Sequence, residues 1–292
     1  MKIKVTSITT HSIQVRNYAI ITIANSEGAQ ASGEIAPLPG WSQETLEEAL
    51  EECFQKKQRV EELDWTFSNC FAHIQALNLY PSVAFGLESA ILSFLLPPSS
   101  YAPPISALLM GSLEDILKQA ERRHREGFFS AKLKVSNLTF EEASFLIHKL
   151  KSLFSLRIDV NCAWKTKESL DFFAQFPKDA FDYIEEPFQN PYDLAKFTHP
   201  LAIDESFPKI LSLKDLESLP TLKALVYKPT MQGGLTYLLP IHEWTLKQNI
   251  YLVLSSSFES PLGLSHIASL GKYLALKSPL GLGTYHHMVA KN

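Results

Sequence analysis

Apolar and polar positions alternate over the first 35 residues. Ile3, Val5 and Ile8, then Ile13 and Val15, then Ile20, Ile21 and Ile23 place β-branched side chains at strand spacing. Two or three antiparallel strands are predicted, with Asn25-Ser26-Glu27-Gly28 as a hairpin end. Pro37, Pro39 and Gly40 break the pattern. Ser42 then reads as the N-cap of a helix carrying Glu44, Glu47 and Glu48 in its first turns and Leu46, Ala49, Leu50 and Cys53 along one face. Residues 81–96 are largely apolar outside Glu88 and Ser93, which predicts a buried helix. The Pro/Ser-rich run 97–104 is the best candidate boundary in the chain, so residues 1–100 are expected to form a small α+β capping domain.

The texture then changes. Short apolar runs at 105–110, 131–135, 156–161, 181–187, 201–204, 224–229 and 251–256 alternate with amphipathic helical stretches. That is the rhythm of a parallel sheet covered by helices on both faces. About seven strands at short, even spacing favour a closed β/α barrel over an open sheet, and neither a GxGxxG nor a GxxxxGK[ST] motif occurs. The expected fold is therefore α/β: a modified TIM-like barrel over residues 101–280, capped by the α+β domain. Residues 281–292 read as a C-terminal tail that returns to the cap.

Composition narrows the function. The chain has 292 residues, 46% of them hydrophobic, a net charge of −4 and scattered basic residues. A sizeable core is expected, with neither nucleic acid nor an anionic membrane as partner. Cys53, Cys70 and Cys162 form no CxxC and no Cys/His ligand spacing, as for free thiols in a reducing compartment. With no signal-like apolar run at the start and no stretch of about 18 apolar residues, a cytoplasmic location is expected.

Chemistry collects at the ends of the barrel strands. Lys132 and Lys134 lie two apart on the second strand and so share a face. Taken alone, the pair reads as a solvated sheet edge. The next strands carry Asp159, then Glu185 and Glu186, then Asp204, and the sixth carries Lys228. All stand at C-terminal strand ends, the face on which barrel active sites are built. Three converging carboxylates repel unless a cation joins them, and an all-oxygen set favours Mg²⁺ over Zn²⁺. Of the two acids on the fourth strand one points inward, and Glu185 is preferred. Strands two and six are opposite in an eight-membered barrel, so Lys132 and Lys134 face Lys228 across the acids. The positive charge of Lys132 beside Lys134 is expected to lower the pKa of the latter and fit it as a general base. The chemistry this suits is proton abstraction next to a carboxylate.

The same residues resemble the enolase superfamily, in its muconate-lactonising-like branch. The stretches Gly33-Glu34-Ile35-Ala36-Pro37-Leu38-Pro39-Gly40-Trp41-Ser42, Pro81-Ser82-Val83-Ala84-Phe85-Gly86 and Ser255-Ser256-Ser257-Phe258-Glu259-Ser260-Pro261-Leu262-Gly263-Leu264 are similar to the o-succinylbenzoate synthase family. That resemblance implies a capped, modified β/α barrel and a hydro-lyase that dehydrates 2-succinyl-6-hydroxy-2,4-cyclohexadiene-1-carboxylate in menaquinone biosynthesis. It implies Lys134 as the base, Lys132 as its tuning partner, Lys228 as the stabilising lysine of the opposite face, and Asp159, Glu185 and Asp204 as ligands of Mg²⁺, with Mn²⁺ as a substitute. Ser255 lies where the family contacts the succinyl tail, and Asn161 and Arg157 match positions beside the metal. The chain departs from the pattern in its short segment near residues 9–15, where relatives often carry a longer flap, and in Gly283, where many relatives have an acid.

Two rival readings use the same residues. A racemase or epimerase of N-acylamino acids or dipeptides would exchange protons at both Lys134 and Lys228, but the epimerase usually needs an acid for the substrate amine near 281–283. A barrel acting only as a scaffold has no reason to retain six charged site residues. His286-His287, Trp164 and Cys162 are expected to be structural, as is Trp41, whose loop is also placed to touch the substrate.

Overall fold

A computed structural model of the protein describes residues 1–13, 16–96 and 100–284. The chain opens with β1 (Ile3–Ile13), β2 (Arg16–Asn25) and β3 (Gln30–Ile35), paired antiparallel in the order β1-β2-β3. Ala19, Ile21 and Ile23 of β2 turn inward at period two and are buried. Three helices follow: α1 (Leu46–Glu62), α2 (Phe67–Leu77) and α3 (Pro81–Leu95). Helix α1 starts at Thr45, not at Ser42. Thr45 Oγ1 accepts from Glu48 N while the Glu48 carboxylate accepts from Thr45 N at 2.8 Å, so both halves of a capping box form. Ser42 Oγ instead accepts from Leu38 N in the preceding loop.

Helix α3 is buried along its length from Ser82 to Leu92, with the cap sheet on one side and the barrel on the other. Two glycines of the quoted motifs allow this. A Cβ at Gly33 would stand 1.8 Å from Gly86 O, and one at Gly86 would stand 2.7 Å from Glu34 O, so any side chain at either would part β3 from α3.

The rest of the chain builds one seven-stranded sheet: β4 (Ala107–Leu109), β5 (Ser130–Lys134), β6 (Ser155–Asp159), β7 (Tyr183–Glu185), β8 (Leu201–Ile203), β9 (Leu222–Tyr227) and β10 (Tyr251–Leu254), neighbours in sequence order and all parallel. The connections carry α4 (Leu113–Arg125), α5 (Phe140–Leu150), α6 (Thr166–Phe173), α7 (Leu213–Glu217), α8 (Pro229–Gln232) and α9 (Leu235–Gln248), and α10 (Pro261–Tyr273) follows β10. A 3-10 turn at Pro191–Lys196 joins β7 to β8. Leu280 bridges to Ile105 and Gly281 to Ser255, both in parallel sense, so this segment closes the gap between β4 and β10. This is the capped, modified β/α barrel expected from the pattern. Residues 281–284 line its closure; residues 285–292, with His286-His287, residues 14–15 of the short segment near residues 9–15, and residues 97–99 of the expected boundary lie outside the described residues. Among the described residues no helix is long and apolar enough to cross a membrane.

The cap is joined to the barrel through a buried acid. Glu88 of α3 accepts from Thr236 N at 2.9 Å and from Thr236 Oγ1, at the N-terminal turn of α9. Burial pushes its carboxyl up to about 7 in spite of those bonds.

Candidate active site at the C-terminal ends of the barrel strands

Strand β5 sorts its side chains by alternation. Ala131 and Leu133 are fully buried among the helices outside the barrel, while Lys132 and Lys134 point into it. Register then sets the layers: Lys134 is level with Asp159, and Asp159 with Glu185. Asp159, Glu185 and Asp204 are 0%, 1% and 3% exposed, on or just beyond three consecutive strands. Lys228 follows β9, four strands from β5 in the sheet order, and lines the same cavity of about 180 Å³ as Lys132 and Lys134.

Lys132 is the hinge of the electrostatics. Its Nζ stands 2.6 Å from Glu185 Oε1 and 2.8 Å from Asp159 Oδ2. Burial opposes its charge, but attraction by Asp159, Glu185 and Asp204 outweighs that and holds its ammonium well above the usual lysine value. One ammonium is thus shared by two acids. Asp159 stays ionised, lowered by Lys132 and Lys134 against its burial, whereas burial and the charge of Asp159 raise Glu185 well above the usual carboxylate range. Lys228 pairs with Asp204, and that attraction overcomes its burial and raises it too. Lys134 donates to Asn161 Oδ1 at 2.8 Å and stands 3.4 Å from Asp159 Oδ2. Asn161, at φ +49°, also donates to Glu205 Oε1 at 2.7 Å, so it orients the lysine from a fixed base.

The three inward acids suit a hard cation. All their donor atoms are oxygens, and Glu185 Oε2 is buried with no hydrogen-bond partner among the described residues. Glu186 turns the other way, at φ +44°, and accepts from Asp204 N, Ser206 N and Ser206 Oγ at 2.7–2.9 Å. Burial raises it to about 7. Donor atoms of Cys162, Glu186 and Glu205 also gather within 4.8 Å of one another. Glu186 and Glu205 are hydrogen-bonded there within the protein, and burial holds the Cys162 thiol above its ordinary value and hence protonated. That cluster therefore suits a cation less well.

The remaining expected residues take definite places. Arg157 lies on the cavity floor, level with Lys132, 1% exposed. Its Nε donates to Asp182 Oδ2, its Nη1 to Pro279 O and its Nη2 to Ser278 Oγ, at 2.7–2.9 Å, with the guanidinium over the Tyr183 ring. It ties β6 to the segment that closes the barrel. Ser255 lines the cavity, with its N donating to Tyr227 O and its Oγ to Gly281 O at 3.3 Å. Trp41 brings the cap loop to the cavity mouth, and its carbonyl accepts from Lys209 Nζ of the barrel. Trp164 packs on Phe140, Phe172 and Phe173, as a core residue does. Glu205 was not foreseen as part of the site; its adjacency to Asp204 was the available signal.

Comparison with known proteins agrees with this geometry. Residues 115–290 match the family model described as enolase C-terminal domain-like, and residues 3–94 match the MenC N-terminal domain. The o-succinylbenzoate synthase of Pasteurella multocida is 30% identical over 283 residues, covering 88% of this chain and 79% of that one. That of Vibrio cholerae is 31% identical over 277 residues, covering 88% and 78%. Among solved structures, MenC from Desulfotalea psychrophila superposes with a TM-score of 0.79 at 18% identity, over 97% of this chain and 94% of that one. A dipeptide epimerase from Methylococcus capsulatus complexed with Mg ion superposes at 0.81 with 21% identity, over 98% and 91%. At such identities the structures speak for the shared fold alone. Sequence relatives and family models together show that the chain belongs to the o-succinylbenzoate synthase family of the enolase superfamily.

Proposed function

We propose that the protein is a hydro-lyase that dehydrates 2-succinyl-6-hydroxy-2,4-cyclohexadiene-1-carboxylate to o-succinylbenzoate, the step of menaquinone biosynthesis for which its relatives are named. Lys134 removes the proton next to the substrate carboxylate and returns it to the departing hydroxyl, so that C–H and C–O bonds break and water leaves. Lys228 holds its ammonium against the opposite face and balances the charge that develops. Lys132 braces Asp159 and Glu185. When bound, Mg²⁺, for which Mn²⁺ substitutes, supplies positive charge to the substrate carboxylate, with Asp159, Glu185 and Asp204 as its ligands. Aromatisation supplies driving force, so the side chains need only position and stabilise.

The observation carrying this reading is that Lys134 on β5 and Lys228 just beyond β9, four strands away, line one cavity, with Asp159, Glu185 and Asp204 on or just beyond the three strands between them. The epimerase alternative meets a steric obstacle. A Cβ at Gly283 would stand 2.8 Å from Leu108 N, a backbone atom of β4, so an acid for a substrate amine has no room there. We take the small molecule as the partner, without nucleic acid or membrane, place the protein in the cytoplasm, and divide the chain near residue 100 into cap and barrel. Turnover of the cyclohexadiene should far exceed racemisation of N-succinyl amino acids by the same preparation. A large preference for racemisation would overturn the assignment.

A further inference from the structure

The lysine that faces Lys134 across the cavity is not carried by a strand. Strand β9 ends at Tyr227, and Lys228 opens the turn that leads through α8 into α9. Helix α8 is a single turn of four residues, too short to hold itself in place. The ammonium of Lys228 pairs with Asp204, but its reach into the cavity is set by where the backbone of residues 228–236 stands.

Part of the hold on that backbone comes from the barrel. Tyr227, one residue before Lys228, alternates away from the cavity into the core that the barrel shares with the cap. Its hydroxyl lies 2.9 Å from Gln232 O and 3.1 Å from Gly233 O and donates to them. Gln232 Oε1 accepts from Lys228 N at 3.3 Å, and Thr230 Oγ1 donates to Glu259 Oε1 at 2.6 Å.

The far end of the turn is held from the other domain. Helix α3 of the cap packs on α8, and Glu88, 1% exposed, stands in the middle of that contact. Both of its carboxylate oxygens are spent on Thr236. Oε1 accepts from Thr236 N at 2.9 Å and from Thr236 Oγ1, and Oε2 accepts from Thr236 N at 3.2 Å. The chain makes room for the acid: a Cβ at Gly234 would stand 2.1 Å from Glu88 Oε2. An apolar side chain on α3 would join cap to barrel without the cost of burying a carboxyl group. What the acid adds is direction, a set of hydrogen bonds aimed at one residue of one turn.

We propose that Glu88 is a positioning residue for Lys228: through Thr236 the cap fixes the turn that carries the lysine, and so fixes where its ammonium meets the reacting face. This goes beyond the function proposed above and rests on the role given there to Lys228. That lysine acts on charge that develops during the reaction, so its misplacement lowers kcat and leaves binding of the substrate nearly as it was.

Steady-state kinetics of the Mg²⁺-loaded protein test this, together with hydrogen exchange followed by mass spectrometry. Glu88→Ala should lower kcat by roughly 10- to 100-fold, the effect of a misplacement on the order of 1 Å, with KM changed less than about 2-fold. Glu88→Gln keeps an oxygen for Thr236 and should recover most of kcat. Thr236→Val keeps size and backbone N–H, loses the hydroxyl donor, and should lie between the two; it decides the matter if Glu88→Ala does not fold. Amides of residues 228–236 should exchange faster in Glu88→Ala and Thr236→Val, while those of residues 130–135 and 157–161 stay as in the wild type. Wild-type kcat in folded Glu88→Ala or in Thr236→Val, a rise in KM in place of the fall in kcat, or faster exchange spread over the whole barrel would overturn the proposal. A wild-type protein that fails to turn over the cyclohexadiene would sink the assigned reaction, while faster exchange confined to residues 228–236 in the variants would leave the clamp on the turn standing.

Discussion

Lys132→Met tests how the acids of the site are held in the absence of a metal. Methionine keeps much of the length of lysine and removes the charge. The side chain of Lys132 is 14% exposed and its partners 0% and 1% exposed, so solvent screens the ion pairs little. Removing one member of such a buried pair costs about 3–5 kcal/mol, because the remaining charge stays buried. Glu185 suffers most, since Lys132 is the hydrogen-bond donor to its Oε1 and its Oε2 has none among the described residues. The cost is capped by proton uptake. Glu185 is raised in the fold, so the folded protein keeps a proton that the unfolded chain has released. Stability from that proton is complete below the ordinary carboxylate range and is lost as pH rises through the raised value. The variant should therefore lose more as pH rises through that raised value than it does below the ordinary carboxylate range. For a chain of this size the loss corresponds to a Tm drop on the order of 10 °C. Mg²⁺ returns positive charge to the same oxygens and should narrow the gap to the wild type. Calorimetry with EDTA and with saturating MgCl₂ decides the matter. A Tm loss that Mg²⁺ does not change, or one worth less than about 1 kcal/mol, would refute the reasoning.

Two further outcomes follow from other residues. Lys134→Ala should abolish turnover, while calorimetric Mg²⁺ binding and the far-UV spectrum stay as in the wild type; undiminished turnover would remove Lys134 as the base. Glu88, raised by burial to about 7, holds a proton in the fold that the unfolded chain loses near its ordinary value, so the wild type should lose up to roughly 3 kcal/mol of stability as pH rises from about 4.5 to 7. Glu88→Gln should flatten that dependence in urea melts, and an unchanged slope would show that Glu88 is ionised throughout.

Much of the site is legible in the chain because strand alternation is a local rule. Lys132 and Lys134 share a face whatever surrounds them, and so do Arg157 and Asp159. The inward choice of Glu185 over Glu186 rests on the same alternation, reinforced by the turn of Glu186 to φ +44°. Local capping chemistry is harder to place: the sequence reading puts the cap at Ser42, whereas the structure caps the helix at Thr45, for which the Glu three residues later is the signal. Partners far apart in sequence were not legible. The bond from Arg157 to Pro279 spans 122 residues, and the bonds from Glu34 to Ser260 span 226. The charge state of Lys132 belongs to the same class. Its neighbour Lys134 suggested a tuning role, while the acids folded around it hold it firmly charged.

The amino-acid sequence by itself determined the alternation of strands and helices in the barrel, the capped barrel and the set of strand-end lysines and acids, though not helix α2 of the cap. Hydrophobic period, turn residues and strand alternation are properties of neighbouring residues. Tertiary structure decided which atoms remain available. It closed the barrel through Leu280 and Gly281, spent the hydroxyls of Ser255 and Ser256 on that closure, and left the hydroxyl of Ser257 facing the cavity. Three identical side chains in a row carry no signal that separates them. Their hydrogen-bond partners come from segments more than 20 residues away, and those arrive only when the chain folds.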